Sequence, residues 1–270
     1  MKKIVFAIGL AAAASGWASV AGPAYDTLIA HRGESKDAPE NTLPAYKMAV
    51  DRGFGFECDI YLSSDKRLYT FHDRTLARTT SGANTNACTD VDWATVSKLN
   101  VGGWGRWKGS RFDPTRPALL EEVLALARPG RKIYVEVKGD DPSWVPYIKA
   151  VFAKEPKATP DTVLFISFGR NVSYELKRLM PEFKVYWLTG RVPPVAELLA
   201  ELRALGVDGV DIHFKPEEVT AEYIAAVRGK GFEFHVWTID DPEKAAEAFR
   251  RGAQTVTTNR AKYIHETLQK

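Results

Sequence analysis

The sequence predicts a (β/α)8 barrel that carries a small insertion after an antiparallel β-hairpin. Apolar strand-like runs alternate with helix-like segments along most of the chain, and eight of those runs are spaced as barrel strands would be. The 270 residues, 45% of them hydrophobic, can fill one core of that type, which takes roughly 250 residues. A doubly wound open sheet is the other arrangement that the same alternation allows.

The strand-like runs cover 28–30, 54–62, 133–137, 163–168, 185–188, 207–212, 232–239 and 255–258, with helices expected at 42–51, 118–128, 143–154, 171–180, 194–205, 217–229 and 242–251. Asn41 or Thr42 can cap the first helix, and Pro44 is acceptable in its first turn. A ninth run at 68–72 follows the second strand after only Ser63-Ser64-Asp65-Lys66-Arg67. Parallel neighbours need a crossover of about a dozen residues, so this run returns antiparallel, and a turn centred near Asp65 brings His72 roughly opposite Asp59. The stretch 74–115 is rich in Thr, Ser, Asn and Gly without sustained periodicity, and reads as a small cap beside the barrel mouth.

Residues 1–21 carry Lys2 and Lys3, an apolar run over 4–14 and the small-residue ending Ser19-Val20-Ala21, the pattern of a secretory signal peptide. That run is far shorter than the ~20 residues of a membrane span. A secreted or periplasmic product is expected, with 22–270 as one barrel domain including the insertion and no stable membrane span. Loss of the two leader lysines leaves 35 basic against 34 acidic side chains, so no net field for nucleic acid remains. The segment Trp104-Gly105-Arg106-Trp107-Lys108 is too short for a nucleic-acid surface and reads as a loop packed by two tryptophans. Cys58 should point away from the face that carries Glu57 and Asp59. A disulfide to Cys88 could persist in an exported chain, and the sequence leaves bridge and free thiols equally open. The oligomeric state is not legible.

Glu57 and Asp59 are two apart, as are Glu136 and Lys138, and in a strand that spacing sends both side chains to one face. At the C-terminal ends of the second and third barrel strands they would converge across the mouth. Three hard oxygen ligands suit one divalent cation, Mg²⁺ or Ca²⁺, better than zinc. The alternative is an ion-pair network with Arg32 or Lys138. Arg32 offers a fixed fork of donors to a phosphate and Lys138 a mobile point charge.

His31 and His72 each end a strand-like run beside these carboxylates, where one imidazole can take a proton from a nucleophile while the other gives one to a leaving group. Asp73 either orients His72 or caps its loop. Gly33 allows the chain to turn close to a ligand. Trp237 is the candidate apolar wall with an indole donor, and Trp187 the residue to complete that wall. Asp211 shares a face with His213, and His235 with Trp237, so these pairs could also line the mouth.

Taken in order, His31-Arg32-Gly33, Pro39-Glu40-Asn41-Thr42, Glu57-Cys58-Asp59, His72-Asp73 with Thr75-Leu76-Ala77-Arg78-Thr79-Thr80, Leu120-Glu121-Glu122-Val123-Leu124 and Glu136-Val137-Lys138 resemble the glycerophosphodiester phosphodiesterase family. The resemblance extends over about 26–260. It implies a (β/α)8 barrel that hydrolyses diesters such as glycerophosphocholine to glycerol 3-phosphate and an alcohol. It also implies Glu57, Asp59 and Glu136 as cation ligands, His31 and His72 as the acid–base pair, and Arg32 and Lys138 on the phosphate. The family route uses the glycerol hydroxyl next to the ester as internal nucleophile, and water then opens a cyclic phosphate.

Two positions depart from the family pattern. Thr258-Asn259-Arg260-Ala261 stands where Thr-Asp and a nearby Pro are usual, and the turn at Asp65-Lys66-Arg67 lacks the usual Gly after Asp. Cleavage of a lysophospholipid or another phosphodiester, or a non-catalytic phosphate- or polyol-binding barrel, are the competing readings.

Overall fold

A computed structural model describes residues 27–270, and the leader expected over 1–21 lies outside them. The alternation read from the sequence is realised as β1 (Leu28–Ala30), α1 (Leu43–Asp51), β2 (Gly55–Leu62), β3 (Leu68–Thr70), α2 (Trp93–Val96), α3 (Leu120–Leu124), β4 (Ile133–Val137), α4 (Val145–Phe152), β5 (Val163–Ser167), α5 (Arg170–Leu179), β6 (Val185–Thr189), α6 (Val195–Leu205), β7 (Gly209–His213), α7 (Ala221–Arg228), β8 (Glu233–Trp237), α8 (Pro242–Arg251), β9 (Val256–Thr258) and α9 (Ala261–Leu268). Strand β1 pairs in parallel with both β2 and β9, which closes the ring of eight parallel strands. Closure rules out the open doubly wound sheet, and β3 hangs on β2 outside the ring as its antiparallel partner.

Period-two alternation divides the apolar residues between two cores. Ile29, Tyr134, Leu164, Ile166, Tyr186 and Leu188 pack inside the ring. A larger cluster, including Cys58, Val135, Phe165 and Val210, lies between the ring and its helices. The N-terminal end of the barrel is plugged by a bonded aromatic group. Tyr186 stacks on His235 at 4.1 Å, Tyr186 donates to Glu233 at 2.5 Å, and His235 Nδ1 lies 2.7 Å from Thr255 Oγ1. His235 therefore belongs to this floor rather than to the mouth.

The hairpin turns at Asp65 as expected, but its register pairs Ile60 with Thr70, so the Phe71 amide, not His72, lies opposite Asp59 and donates to its carbonyl at 3.1 Å. Lys66 takes φ 67°, the left-handed conformation that a glycine would adopt freely, at a strain of about 1 kcal/mol. Ser63 holds this turn, its Oγ accepting from the Arg67 amide at 2.8 Å. The helix expected over 118–128 is shorter, Leu120–Leu124, because beyond it the backbone tightens into turns in which the Leu126 and Ala127 amides bond three residues back.

The insertion contains α2 and short 3-10 turns at Cys88–Asp90 and Gly105–Trp107. It is tied to the barrel by Tyr69, which donates to the Cys88 carbonyl at 2.8 Å, and by Arg106, which donates to the Ser35 and Lys36 carbonyls. Cys58 and Cys88 are both buried and free, and Cys88 Sγ donates to the Asp73 carbonyl at 3.2 Å instead of forming the bridge left open by the sequence.

Candidate active site

Where β1 ends, the chain turns through Arg32 (φ 57°) and Gly33 (φ 77°). A Cβ at Gly33 would sit 2.6 Å from the Ala45 carbonyl carbon, so glycine is required by the approach of α1 rather than by a ligand. The turn points the Arg32 amide at Glu57 Oε2, to which it donates at 2.8 Å.

Strands β2 and β4 are adjacent, with Asp59 beside Glu136, and the ring interior receives Glu57, Asp59 and Glu136 together. One carboxylate oxygen from each lies within 4.8 Å of the others, and all three residues are buried. Asn41 fixes Asp59: its Nδ2 donates to Asp59 Oδ2 at 2.7 Å, and its Oδ1 accepts from the Asp59 amide and from Tyr46. Asn41 is thus committed to this clamp, while Thr42 caps α1. Lys138 donates to Glu136 at 2.7 Å and to Asp59 at 3.1 Å, and Arg32 Nε stands 3.6 Å from Asp59.

The electrostatics follow from this crowding. Burial, then Asp59 and Glu136, push the Glu57 carboxyl well above the usual range. Burial and Asp59 raise Glu136 to about 7. Burial works the same way on Asp59, but Lys138 and Arg32 outweigh it and hold this acid well below the ordinary value. Burial disfavours the Lys138 ammonium, yet Asp59 and Glu136 keep its pKa raised.

Glu57 Oε1 is buried without a hydrogen-bond partner. Three buried hard-oxygen donors, one of them unpaired, fit a single divalent cation. The ion-pair network weighed against a metal is also present, and the two are compatible because Lys138 and Arg32 sit at the edge of the carboxylate group.

His31 and His72 differ in what stands behind them. His31 Nδ1 lies 2.8 Å from Asn259 Oδ1, and Asn259 Nδ2 donates to Asp240 at 2.9 Å. Asp240 accepts, so the amide oxygen must face His31, Nδ1 must carry the hydrogen, and the free lone pair is on Nε2, 3.9 Å from Glu57. Burial and the Arg32 charge lower His31 to about 4. His72 Nδ1 faces the Asp73 carboxylate at 2.8 Å, and Arg78 grips that carboxylate at 2.6 Å while also pairing with Glu40. Burial lowers His72, and Asp59 opposes that shift. Glu40 in turn receives Arg32 at 2.9 Å, so one ion-pair chain joins the loops that carry the two histidines.

A cavity of about 230 Å³ is bounded by His31, Arg32, Glu57, His72, Glu136, Lys138 and Trp237, and Asp59 lies buried next to them. Trp187 does not join this wall. Tyr186 and Leu188 face inward on β6, so alternation turns Trp187 outward, where its indole donates to the Phe168 carbonyl at 3.3 Å. Phe168 takes the place intended for it and meets Trp237 edge to face at 5.6 Å. The Trp237 donor is already used, at 3.1 Å to the Asp211 carbonyl, which leaves the ring face as its contribution. Asp211 lines the cavity as the sequence allowed, whereas His213 is not part of the lining; Ile166, Leu188 and Thr257 also line it, a set legible only as inward parity on three further strands.

Residues 31–262 match the model of the glycerophosphoryl diester phosphodiesterase family. The chain belongs to that family. A glycerophosphodiester phosphodiesterase of Caldanaerobacter subterraneus is 28% identical over 240 residues, 86% of this chain and 93% of the relative. Human glycerophosphodiester phosphodiesterase 1 is 34% identical over 151 residues, and there the match spans only 45% of the relative's length. An Oleispira antarctica phosphodiesterase solved with its product sn-glycerol 3-phosphate superposes with a TM-score of 0.80 at 25% identity, covering 90% of this chain and 97% of that one. As a family member the protein is an enzyme for glycerophosphodiesters, and its carboxylate cluster is consistent with a single divalent-cation site.

Proposed function

We propose that this phosphodiesterase converts a glycerophosphodiester to sn-glycerol 3-phosphate and an alcohol through a cyclic phosphate. The observation that carries the reading is the meeting of both histidines, Arg32, Lys138 and two of the three clustered carboxylates on one cavity. The product named for the Oleispira antarctica relative supports the same end point.

A divalent cation held by Glu57, Asp59 and Glu136 would supply Lewis-acid charge against the phosphate and the attacking hydroxyl. Arg32 and Lys138 bind the phosphoryl oxygens and offset the charge that develops on them. His31, neutral and with its lone pair on Nε2, takes the proton of the hydroxyl adjacent to the ester. His72, backed by Asp73, gives a proton to the departing alcohol oxygen. The nucleophile is tethered to phosphorus, which removes much of the entropic cost of approach. For ring opening the histidines exchange roles, with water as nucleophile.

Purified protein should release glycerol 3-phosphate from glycerophosphocholine, lose that activity in chelator and regain it with Mg²⁺ or Ca²⁺. Phosphorus NMR should show a transient cyclic phosphate. No diester cleavage under either cation would overturn the reading. The leader pattern supports a secreted or periplasmic enzyme, and a mature N-terminus beginning after Ala21 is the expected result.

A further inference from the structure

The cavity has a second wall that the proposed chemistry leaves unused. Asp211 on β7 is 1% exposed, and neither of its carboxylate oxygens has a hydrogen-bond partner among the described residues. Thr257 on β9 lines the same cavity, is equally buried, and its hydroxyl is also unpartnered. Ile166, Leu188 and the Trp237 ring beside them offer no hydrogen bond to a ligand, and Thr238 adds one further hydroxyl to the lining. A carboxyl in such a wall is unfavourable unless something meets it, and buried polar groups of folded proteins are bonded as a rule. At the other end of the ring Glu233 and Thr255 are both paired, Glu233 with Tyr186 and Thr255 with His235.

We propose that Asp211, assisted by Thr257, binds the terminal hydroxyl of the substrate's glycerol group and so selects for that polyol. The inference rests on the functional reading above. A glycerophosphodiester brings two free hydroxyls into the cavity. The one beside the ester belongs at His31 and the carboxylate cluster, which leaves the terminal one to find a partner elsewhere. Asp211 is not a fourth member of the metal cluster, which gathers only Glu57, Asp59 and Glu136. A site built to hydrogen-bond a hydroxyl discriminates strongly against an analogue that lacks it, because the buried acceptor is then left unpaired.

Calorimetry on the metal-loaded protein should compare sn-glycerol 3-phosphate with 1,2-propanediol 1-phosphate, which differs only in lacking the terminal hydroxyl. Wild type should prefer the glycerol compound at least about tenfold, Asp211→Leu should reduce that preference to within about twofold, and Asp211→Asn should retain part of it. If the leucine variant fails to fold by thermal melt, Asp211→Asn and Thr257→Val carry the same comparison. Wild type with no preference, binding of neither compound, or Asp211→Leu with the wild-type preference would overturn the proposal. So would a variant that needs more Mg²⁺ or Ca²⁺ for half-saturation while keeping the preference, which would make Asp211 a metal ligand. Binding is read without turnover, so a protein that discriminates between these ligands but cleaves no diester would sink the proposed reaction and leave this assignment standing.

Discussion

Asn259 accepts from His31 through a neutral amide at 2.8 Å, at the position where the sequence resemblance led to the expectation of an acid. That substitution leaves burial and Arg32 free to depress His31, and it lets Asp240 approach the same side chain through its amide nitrogen. Asn259→Asp should therefore raise the His31 pKa and move the acidic limb of the kcat/KM profile to higher pH by about one unit. The new carboxylate would also face Asp240, so the melting temperature should fall. A pH profile that superposes on wild type would show that Asn259 does not set the state of His31.

Lys138 stands where removal should separate phosphate binding from metal binding. Its ammonium offsets Asp59 and Glu136 at 3.1 and 2.7 Å, and breaking a buried pair by deleting one partner costs about 3–5 kcal/mol. Lys138→Met should lower the melting temperature most in chelator and recover more than wild type when Mg²⁺ or Ca²⁺ is added. Binding at a hundred times Kd contributes about 2.7 kcal/mol in either protein, and relief of the uncompensated acids adds to that in the variant. Turnover should still fall sharply, since the phosphate has lost a counter-charge. Equal metal-induced shifts in the two proteins would contradict this account.

The ring of strands and the gathering of Glu57, Asp59 and Glu136 were legible because both follow from periodicity: apolar runs mark strands, and a spacing of two fixes a common face. Trp187 shows the limit of that rule. Its face could be assigned only once Tyr186 or Leu188 was known to point inward, and an apolar strand buried on both sides gives no polar alternation to decide this. The Asn41 clamp on Asp59 and the Arg78 bridge between Asp73 and Glu40 join residues from separate loops, and no local spacing encodes such pairings. Lys66 was readable as a departure from the usual glycine, but not as a residue that would accept the glycine's dihedrals.

The two histidine roles can be separated by the leaving group. His72, with the Asp73 carboxylate at 2.8 Å, is placed to protonate an alkoxide, and choline or ethanolamine leaves poorly without that proton. His72→Ala should lose roughly 10²- to 10⁴-fold on glycerophosphocholine, the usual range for one general acid. On the p-nitrophenyl diester of glycerol phosphate, whose leaving group needs no proton, most of that loss should disappear. His31→Ala should be impaired on both substrates, because the attacking hydroxyl still has to give up its proton. Equal losses for His72→Ala on the two diesters, or rescue of His31→Ala by the activated one, would exchange or dissolve the assignment.

Stability in the metal-free enzyme should carry the signature of His31. The unfolded residue takes up its proton near pH 6.5 and the folded one only near 4. Between those values the unfolded chain binds more protons, so stability falls as pH falls. The contribution is fully present above about pH 6.5 and is gone below about pH 4. At 1.36 kcal/mol per unit, the span from 6.5 to about 4 sets an upper limit of ~3 kcal/mol, and the 18% exposure of the side chain reduces the share that is realised. Urea unfolding in chelator at several pH values should show wild type losing stability on acidification faster than His31→Gln, with the gap between the two curves changing only inside that window. The comparison isolates His31 because Glu57 and Glu136, whose raised pKa values act with the opposite sign, are present in both proteins. Parallel curves would mean that the folded imidazole titrates near its ordinary value and is not the neutral base that the cavity requires.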